Sequence, residues 1–207
     1  LGDDLPAVLR NSGVQVAVDF TTATVAYDNA RTLIECGVRP VIGTSGLLPE
    51  QVAELQALCQ AKQIGGVIAP NFAIGAVLMM KYAVDAVKYL PHVEVIELHH
   101  DRKADAPSGT AVKTANLLAE ARAEIPAPLD EKELIPGARG GKTQGIPVHS
   151  IRLPGLVAHQ EVIFGGKSET LTIRHDSIHR ESFMPGVCLA CKKAVALNEL
   201  VYGLEHV

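Results

Sequence analysis

The sequence holds no apolar run approaching the ~20 residues that a bilayer-spanning helix needs. Nor does it open on the basic stretch of a signal peptide, since its first residues, Leu-Gly-Asp-Asp-Leu-Pro, are acidic. No membrane is expected as a partner, and the cytoplasm is the expected location. An excess of positive charge is missing too. The formal net charge is −4, which offers no electrostatic attraction to nucleic acid or to an anionic membrane surface. Cysteine is sparse, at four residues, and the Cys-x-x-Cys pair at Cys188 and Cys191 has no second pair at zinc-site spacing. The pair lies in an apolar segment with helical spacing, so reduced structural thiols are expected there. His159, His175 and His179 are scattered and lack metal-ligand spacing, and no metal is expected. The last absence concerns glycine. No Gly-x-Gly-x-x-Gly turn follows a strand and opens a helix, so the usual pyrophosphate-binding fingerprint is not in these residues.

What is there has the composition of an ordinary soluble globular protein, 47% hydrophobic and 20% charged. The length suits one large domain or two small ones. Residues 14–20 form a short run rich in β-branched side chains, the pattern of a strand buried on both faces of a parallel sheet. Helical spacing follows over 24–36, with Gly37 as the stop. A second strand over 38–42 leads into Gly43-Thr44-Ser45-Gly46. Pro49 then opens a helix to about Lys62, and a third strand over 65–69 ends at Pro70-Asn71-Phe72. This alternation predicts a parallel α/β sheet with right-handed crossovers. Ligands of such sheets bind beyond the C-terminal strand ends. Three segments lie there: Phe20-Thr21-Thr22, Gly43-Thr44-Ser45 and Ala69-Pro70-Asn71-Phe72.

Residues 73–90 predict a long helix that Pro91 stops, with Met79 and Met80 as packing residues. Beyond it the period changes. Residues 93–98, 148–153, 159–164 and 169–175 alternate as strands, and Gly165-Gly166-Lys167 reads as a hairpin between the last two. They predict a mixed, mostly antiparallel sheet of about four strands, with one open face that needs a cover. Residues 125–147, rich in Pro, Gly and charge, read as a long surface loop, whose Arg139 and Lys142 either help hold an acidic substrate or, the stronger reading, are solvated. Residues 180–197 form a final helix, broken near Pro185-Gly186, that packs back onto the first sheet. The fold class is α/β. A partial Rossmann-like parallel-sheet domain, residues 1–71 and 180–207, carries an inserted α+β domain, residues 72–179, with hinges near Asn71-Phe72 and His179-Arg180.

One stretch concentrates the chemistry: Glu97-Leu-His-His-Asp-Arg-Lys-Ala-Asp-Ala-Pro-Ser-Gly-Thr-Ala111. His99 and His100 stand at the C-terminal end of a strand, on opposite faces. Ser108 is an N-cap, and Gly109 and Thr110 open a first turn whose backbone N–H groups point out of the helix. Such a start favours a bound carboxylate or phosphate, and Lys103 adds a full positive charge to the same loop. Together they form a site for an acidic small molecule, with an imidazole to move a proton. Metal-dependent hydrolysis with both histidines as ligands is the weaker alternative, because neighbouring strand residues point apart.

The run His-His-x-x-Lys-x-Asp-Ala-Pro-Ser-Gly-Thr-Ala from His99 resembles the signature of the dihydrodipicolinate reductase family. The resemblance extends through Val18-Asp-Phe-Thr, Val41-Ile-Gly-Thr-Ser-Gly and Ala69-Pro-Asn-Phe and covers nearly the whole chain. It implies an NADH- or NADPH-dependent reductase acting on a cyclic dicarboxylate in lysine and diaminopimelate biosynthesis. By the same resemblance His99 is the acid and Lys103 assists protonation. His100 contacts one substrate carboxylate, the amides of Gly109 and Thr110 after the Ser108 cap hold the other, and Asp105 braces the loop. Phe20, Thr21, Gly43, Thr44, Ser45, Ala69, Pro70, Asn71 and Phe72 face the nicotinamide and pyrophosphate. A homotetramer formed through the inserted sheets supplies the cover. The family's Gly-rich turn falls before Leu1, so the chain is expected to be shortened relative to the family. The alternative function is a non-catalytic, oligomerising dicarboxylate-binding module.

Overall fold

A computed structural model describes residues 4–127, 130 and 132–207. The acidic start at residues 1–3, and positions 128, 129 and 131 of the expected surface loop, lie outside the described residues. In chain order the elements are α1 (Leu5–Ser12), β1 (Val16–Asp19), α2 (Ala23–Glu35), β2 (Arg39–Ile42), α3 (Pro49–Lys62), β3 (Gly66–Ile68) and α4 (Ile74–Val87). There follow β4 (His92–His99), α5 (Gly109–Ala121), β5 (Gly141–Thr143), β6 (Ile146–Arg152), β7 (Ala158–Gly166), β8 (Glu169–Ser177), α6 (Met184–Ala194) and β9 (Leu200–Tyr202). The chain divides into two units, Leu1–Ile74 with Phe183–Val207, and Gly75–Ser182. Among the described residues no helix is long and apolar enough to cross a membrane.

The first unit is built on a parallel sheet of order β1-β2-β3-β9. Its main cluster joins Ala30 and Ile34 of α2, Leu55 and Cys59 of α3, and Ile42, Ile68 and Leu200 of the strands. Each fully buried Leu or Ile side chain in it contributes roughly 1.5–3 kcal/mol, and the same burial pushes the Cys59 thiol up to about 11. Leu9 seats α1 against Leu33 and Val38. Four expectations are corrected here. Among the described residues β1 pairs only with β2, and it is not buried on both faces, since Val18 is 45% exposed. The elements α1 and β9 were not foreseen. The final helix runs only from Met184 to Ala194 after a 3-10 turn at Arg180–Phe183. Pro185 begins α6 instead of breaking it, since a first-turn proline loses no hydrogen bond.

The second unit holds a mixed sheet of order β5-β6-β4-β7-β8, parallel only between β6 and β4. The expected surface loop over 125–147 contains β5 and the first residues of β6, so the sheet has five strands and not four. Side chains alternate between two faces. Val93, Val95 and Glu97 of β4, Ile146 and Val148 of β6, and Gln160, Val162 and Phe164 of β7 are buried on the face that α5 covers. The opposite face carries Glu94, Ile96, Glu161 and Ile163, aligned as Glu94↔Ile163 and Ile96↔Glu161. Charged pairs rim it: Arg139 and His149 on Glu94, and Arg174 on Glu161 and Asp176.

Candidate active site

At the C-terminal end of β4 the buried-face alternation runs Val93, Val95, Glu97, His99, so the last two positions put a carboxylate and an imidazole where apolar side chains precede them. Glu97 is completely buried and the His99 side chain is 16% exposed. Arg152, the β6 register partner of His99, reaches back to Glu97 with Nη1 to Oε2 and Nη2 to Oε1, both 2.8 Å. The same carboxylate receives the Ser108 backbone N–H at 3.2 Å and is bonded to His99 Nδ1. Burial alone would raise the Glu97 pKa, but the hydrogen bonds from Arg152, Ser150 and His99, with the Arg152 charge, hold it below the ordinary carboxylate value. Because that carboxylate is ionised, His99 Nδ1 is the donor and Nε2 is the nitrogen left for other chemistry. Burial lowers the His99 pKa, opposed by Glu97 and reinforced by the Lys103 and Arg152 charges.

The loop after His99 is pinned at several points. Lys103 donates its backbone N–H to His100 O at 3.2 Å, and its Nζ is clamped by Asp105 at 2.7 and 2.8 Å. Arg152 Nη2 donates to the Asp105 carbonyl at 2.7 Å. Ser108 Oγ caps α5 by accepting from the Ala111 N–H at 3.2 Å, and the space beside the Gly109 Cα is open. His100 takes a different direction. It lines a cleft of about 450 Å³ with Arg102, Val157, His179 and Arg180, and its buried Nδ1 finds no partner among the described residues.

In the first unit the ends of β1 and β2 are tied by one buried carboxylate, Asp19, 6% exposed. It accepts from Thr44 Oγ1 at 2.6 Å, Asn29 Nδ2 at 2.8 Å, Thr21 Oγ1 at 2.9 Å and the Thr21 N–H at 3.0 Å. Burial pushes its pKa up, and the donors, Thr44 first, bring it below the ordinary value. Phe20 is 54% exposed and meets the buried Phe72 edge to face, with ring centroids 5.7 Å apart. A Cβ at Gly43 would strike the Phe20 ring, so glycine allows that ring to lie over the backbone. Ala69 is buried and bonded through its N–H to Ile42 O, while Ser45 and Pro70 are exposed. Asn71 Oδ1 accepts from the Ala73 N–H at 2.8 Å and fixes the turn into α4.

Residues 1–72 match the family model for the N-terminus of dihydrodipicolinate reductase, and residues 75–207 match the model for its C-terminus. The chain belongs to the dihydrodipicolinate reductase family. It is 56% identical over 205 residues to the 4-hydroxy-tetrahydrodipicolinate reductase of Listeria monocytogenes serotype 4b (strain F2365), covering 99% of this chain and 78% of that one. Identity to the enzyme of the same name from Streptococcus pneumoniae (strain Hungary19A-6) is 60% over 201 residues, 97% of this chain and 79% of the other. A solved structure, the dipicolinate-bound dihydrodipicolinate reductase from Paenisporosarcina sp. TG-14, superposes with a TM-score of 0.91 at 47% identity, over 99% of this chain and 77% of its own.

A dihydrodipicolinate reductase works with a nicotinamide cofactor, and the strand ends of the first unit fit one. An exposed aromatic edge, a glycine backbone and a set of fixed polar turns suit a flat ring bearing an amide. Within the second unit His99 ends β4, Lys103 lies in the connection that follows, and Ser108, Gly109 and Thr110 begin α5, while His100 lines the neighbouring cleft. Three residues that organise these sites had no role in the sequence reading: Asp19, Glu97 and Arg152. Glu97 carried a legible signal, an acid at a buried-face position of an alternating strand. Arg152, on a strand 55 positions away, carried none.

Proposed function

We propose that the protein is a 4-hydroxy-tetrahydrodipicolinate reductase, an NAD(P)H-dependent oxidoreductase of lysine and diaminopimelate biosynthesis. The observation that supports this most strongly is the β4–α5 connection, where an imidazole, an ammonium group and a helix start share one loop of a chain from this family. When bound, NADH or NADPH supplies a hydride to the ring of a cyclic dicarboxylate whose hydroxylated form has lost water to give a conjugated C=C–C=N system. The displaced electron pair would leave an enamine anion, so a proton must arrive with it. As the imidazolium, with Nδ1–H held by Glu97, His99 gives that proton from Nε2, the nitrogen facing away from Glu97, and returns to the neutral Nδ1–H form. Desolvation weakens the imidazolium's hold on the proton and so favours its release. Lys103 offsets the substrate's negative charge and assists protonation, with Asp105 bracing its side chain.

His100 meets one ring carboxylate. The amides of Gly109 and Thr110, set by the Ser108 cap, hold the other where the helix start favours an anion. Phe20 and Thr21 on β1, Gly43, Thr44 and Ser45 after β2, and Ala69, Pro70, Asn71 and Phe72 after β3 take the nicotinamide and pyrophosphate. The dinucleotide domain comprises residues 1–71 and 180–207, the substrate and oligomerisation domain residues 72–179. The enzyme acts in the cytoplasm as a homotetramer assembled through the open sheet face. Purified protein mixed with dihydrodipicolinate synthase and its two substrates is expected to oxidise NADH or NADPH, with pyridine-2,6-dicarboxylate competing against the substrate. Failure to oxidise either cofactor, or oxidation that does not depend on the synthase, would contradict the proposal.

A further inference from the structure

Between His99 and the loop that carries Lys103 lies a buried ion pair for which the reaction itself has no direct use. Glu97 is wholly enclosed, and Arg152 is 18% exposed. Between them they tie His99 to the start of α5 and to the loop that carries Lys103. Glu97 Oε2 is bonded to His99 Nδ1, and Glu97 Oε1 takes the Ser108 N–H that begins α5. Arg152 meets both carboxylate oxygens and then continues to the Asp105 carbonyl, two residues beyond Lys103. We propose that Glu97 and Arg152 are positioning residues for the reduction: Glu97 fixes His99 in the Nδ1–H tautomer with Nε2 presented for proton transfer, and Arg152 locks Glu97 and the Lys103 loop in one frame.

A neutral imidazole carries its proton on either nitrogen with little preference, and only the Nδ1–H form leaves Nε2 free to pick up and deliver a proton. A buried carboxylate held to Nδ1 selects that form, as the aspartate of a hydrolase triad does. A carboxylate left alone in this environment would lose its charge to desolvation. The bidentate Arg152 contact keeps it ionised, so the tautomer choice depends on a residue of β6. The groups facing His99 are Glu97 from β4, Arg152 from β6 and Lys103 from the loop. Glu97 alone among them can accept the Nδ1 proton.

The inference rests on the reading of His99 as the proton donor, and its test separates the two. In ¹⁵N-histidine-labelled protein, with the His99 signals assigned by their loss in His99→Gln, neutral His99 is expected to show a protonated Nδ1 and a bare Nε2. Glu97→Gln, which preserves shape and removes charge, is expected to abolish that preference. It should also lower kcat on the order of 10–100-fold, as loss of the outer partner does for a metal-bound histidine, with KM for the dicarboxylate little changed. An Nε2–H tautomer in the wild type overturns the inference even if the variant fails to fold. So does a Glu97→Gln enzyme with wild-type kcat beside an inactive His99→Gln enzyme. Turnover indifferent to His99→Gln would instead remove the donor role, and the catalytic meaning of the positioning with it.

Discussion

At the residue scale, three titratable groups of the two sites contribute to how this protein responds to acid. Glu97 and Asp19 are desolvated, yet their donors hold both pKa values below the ordinary 4.5 and 3.8. Burial lowers His99 below 6.5. In each case the folded state binds its proton less readily than the unfolded chain. The corresponding stabilisation is fully present above the unfolded value and is lost as pH falls through the folded one. All three signs agree. The melting temperature is predicted to fall on acidification from about pH 6.5 downward, and His99→Gln should flatten the upper part of that fall while Glu97→Gln flattens the lower. A melting temperature level across the range would contradict the burial and pairing described. The chemistry-bearing residues His99 and Lys103 were legible because the local run around them is dense with specific types. Their supports were not, because a hydrogen bond between β4 and β6 depends on register, which local spacing does not encode.

Among the elements, legibility followed length and punctuation. The helix α3 was bounded correctly by Pro49 and Lys62, and the start of α5 by its Ser108 cap, because capping chemistry is local. The strands β5 and β9 have three residues each, too few for any period to show. The helix α1 did have signals, a proline in its first turn and Gly13 in a left-handed C-cap at φ 64°. In α6, local propensity and tertiary packing disagree in a way that can be measured. Replacing a helical glycine by alanine gains up to about 1 kcal/mol from propensity alone. At Gly186, however, a Cβ would run into the Phe72 carbonyl, and overpacking of a buried site costs about 1–3 kcal/mol. Gly186→Ala is therefore predicted to be net destabilising by denaturant unfolding. A more stable variant would show that α6 lies farther from Phe72 than described.

At the scale of the whole molecule, the five-stranded sheet buries one face under helix and leaves the other partly open, with Ile96 and Ile163 at its middle and ion pairs at its rim. The two faces were readable from alternation, since Val93 to His99 places every second residue inside. What covers the open face is not encoded in one chain's periodicity. The proposed tetramer predicts that Ile96→Lys, whose new ammonium group would stand opposite Glu161 across the ladder, keeps the fold but lowers the mass measured by light scattering. A wild-type monomer, or a variant that keeps its mass, would contradict tetramer formation through this face. The reductase reading itself depends on proton delivery by His99. The most direct measurement is the steady-state kinetics of His99→Gln with the synthase-generated substrate. Loss of a positioned general acid is predicted to lower kcat by about 100-fold or more, while KM for the dicarboxylate changes only a few-fold. A variant with near wild-type kcat, or one whose loss lies wholly in KM, would contradict the account.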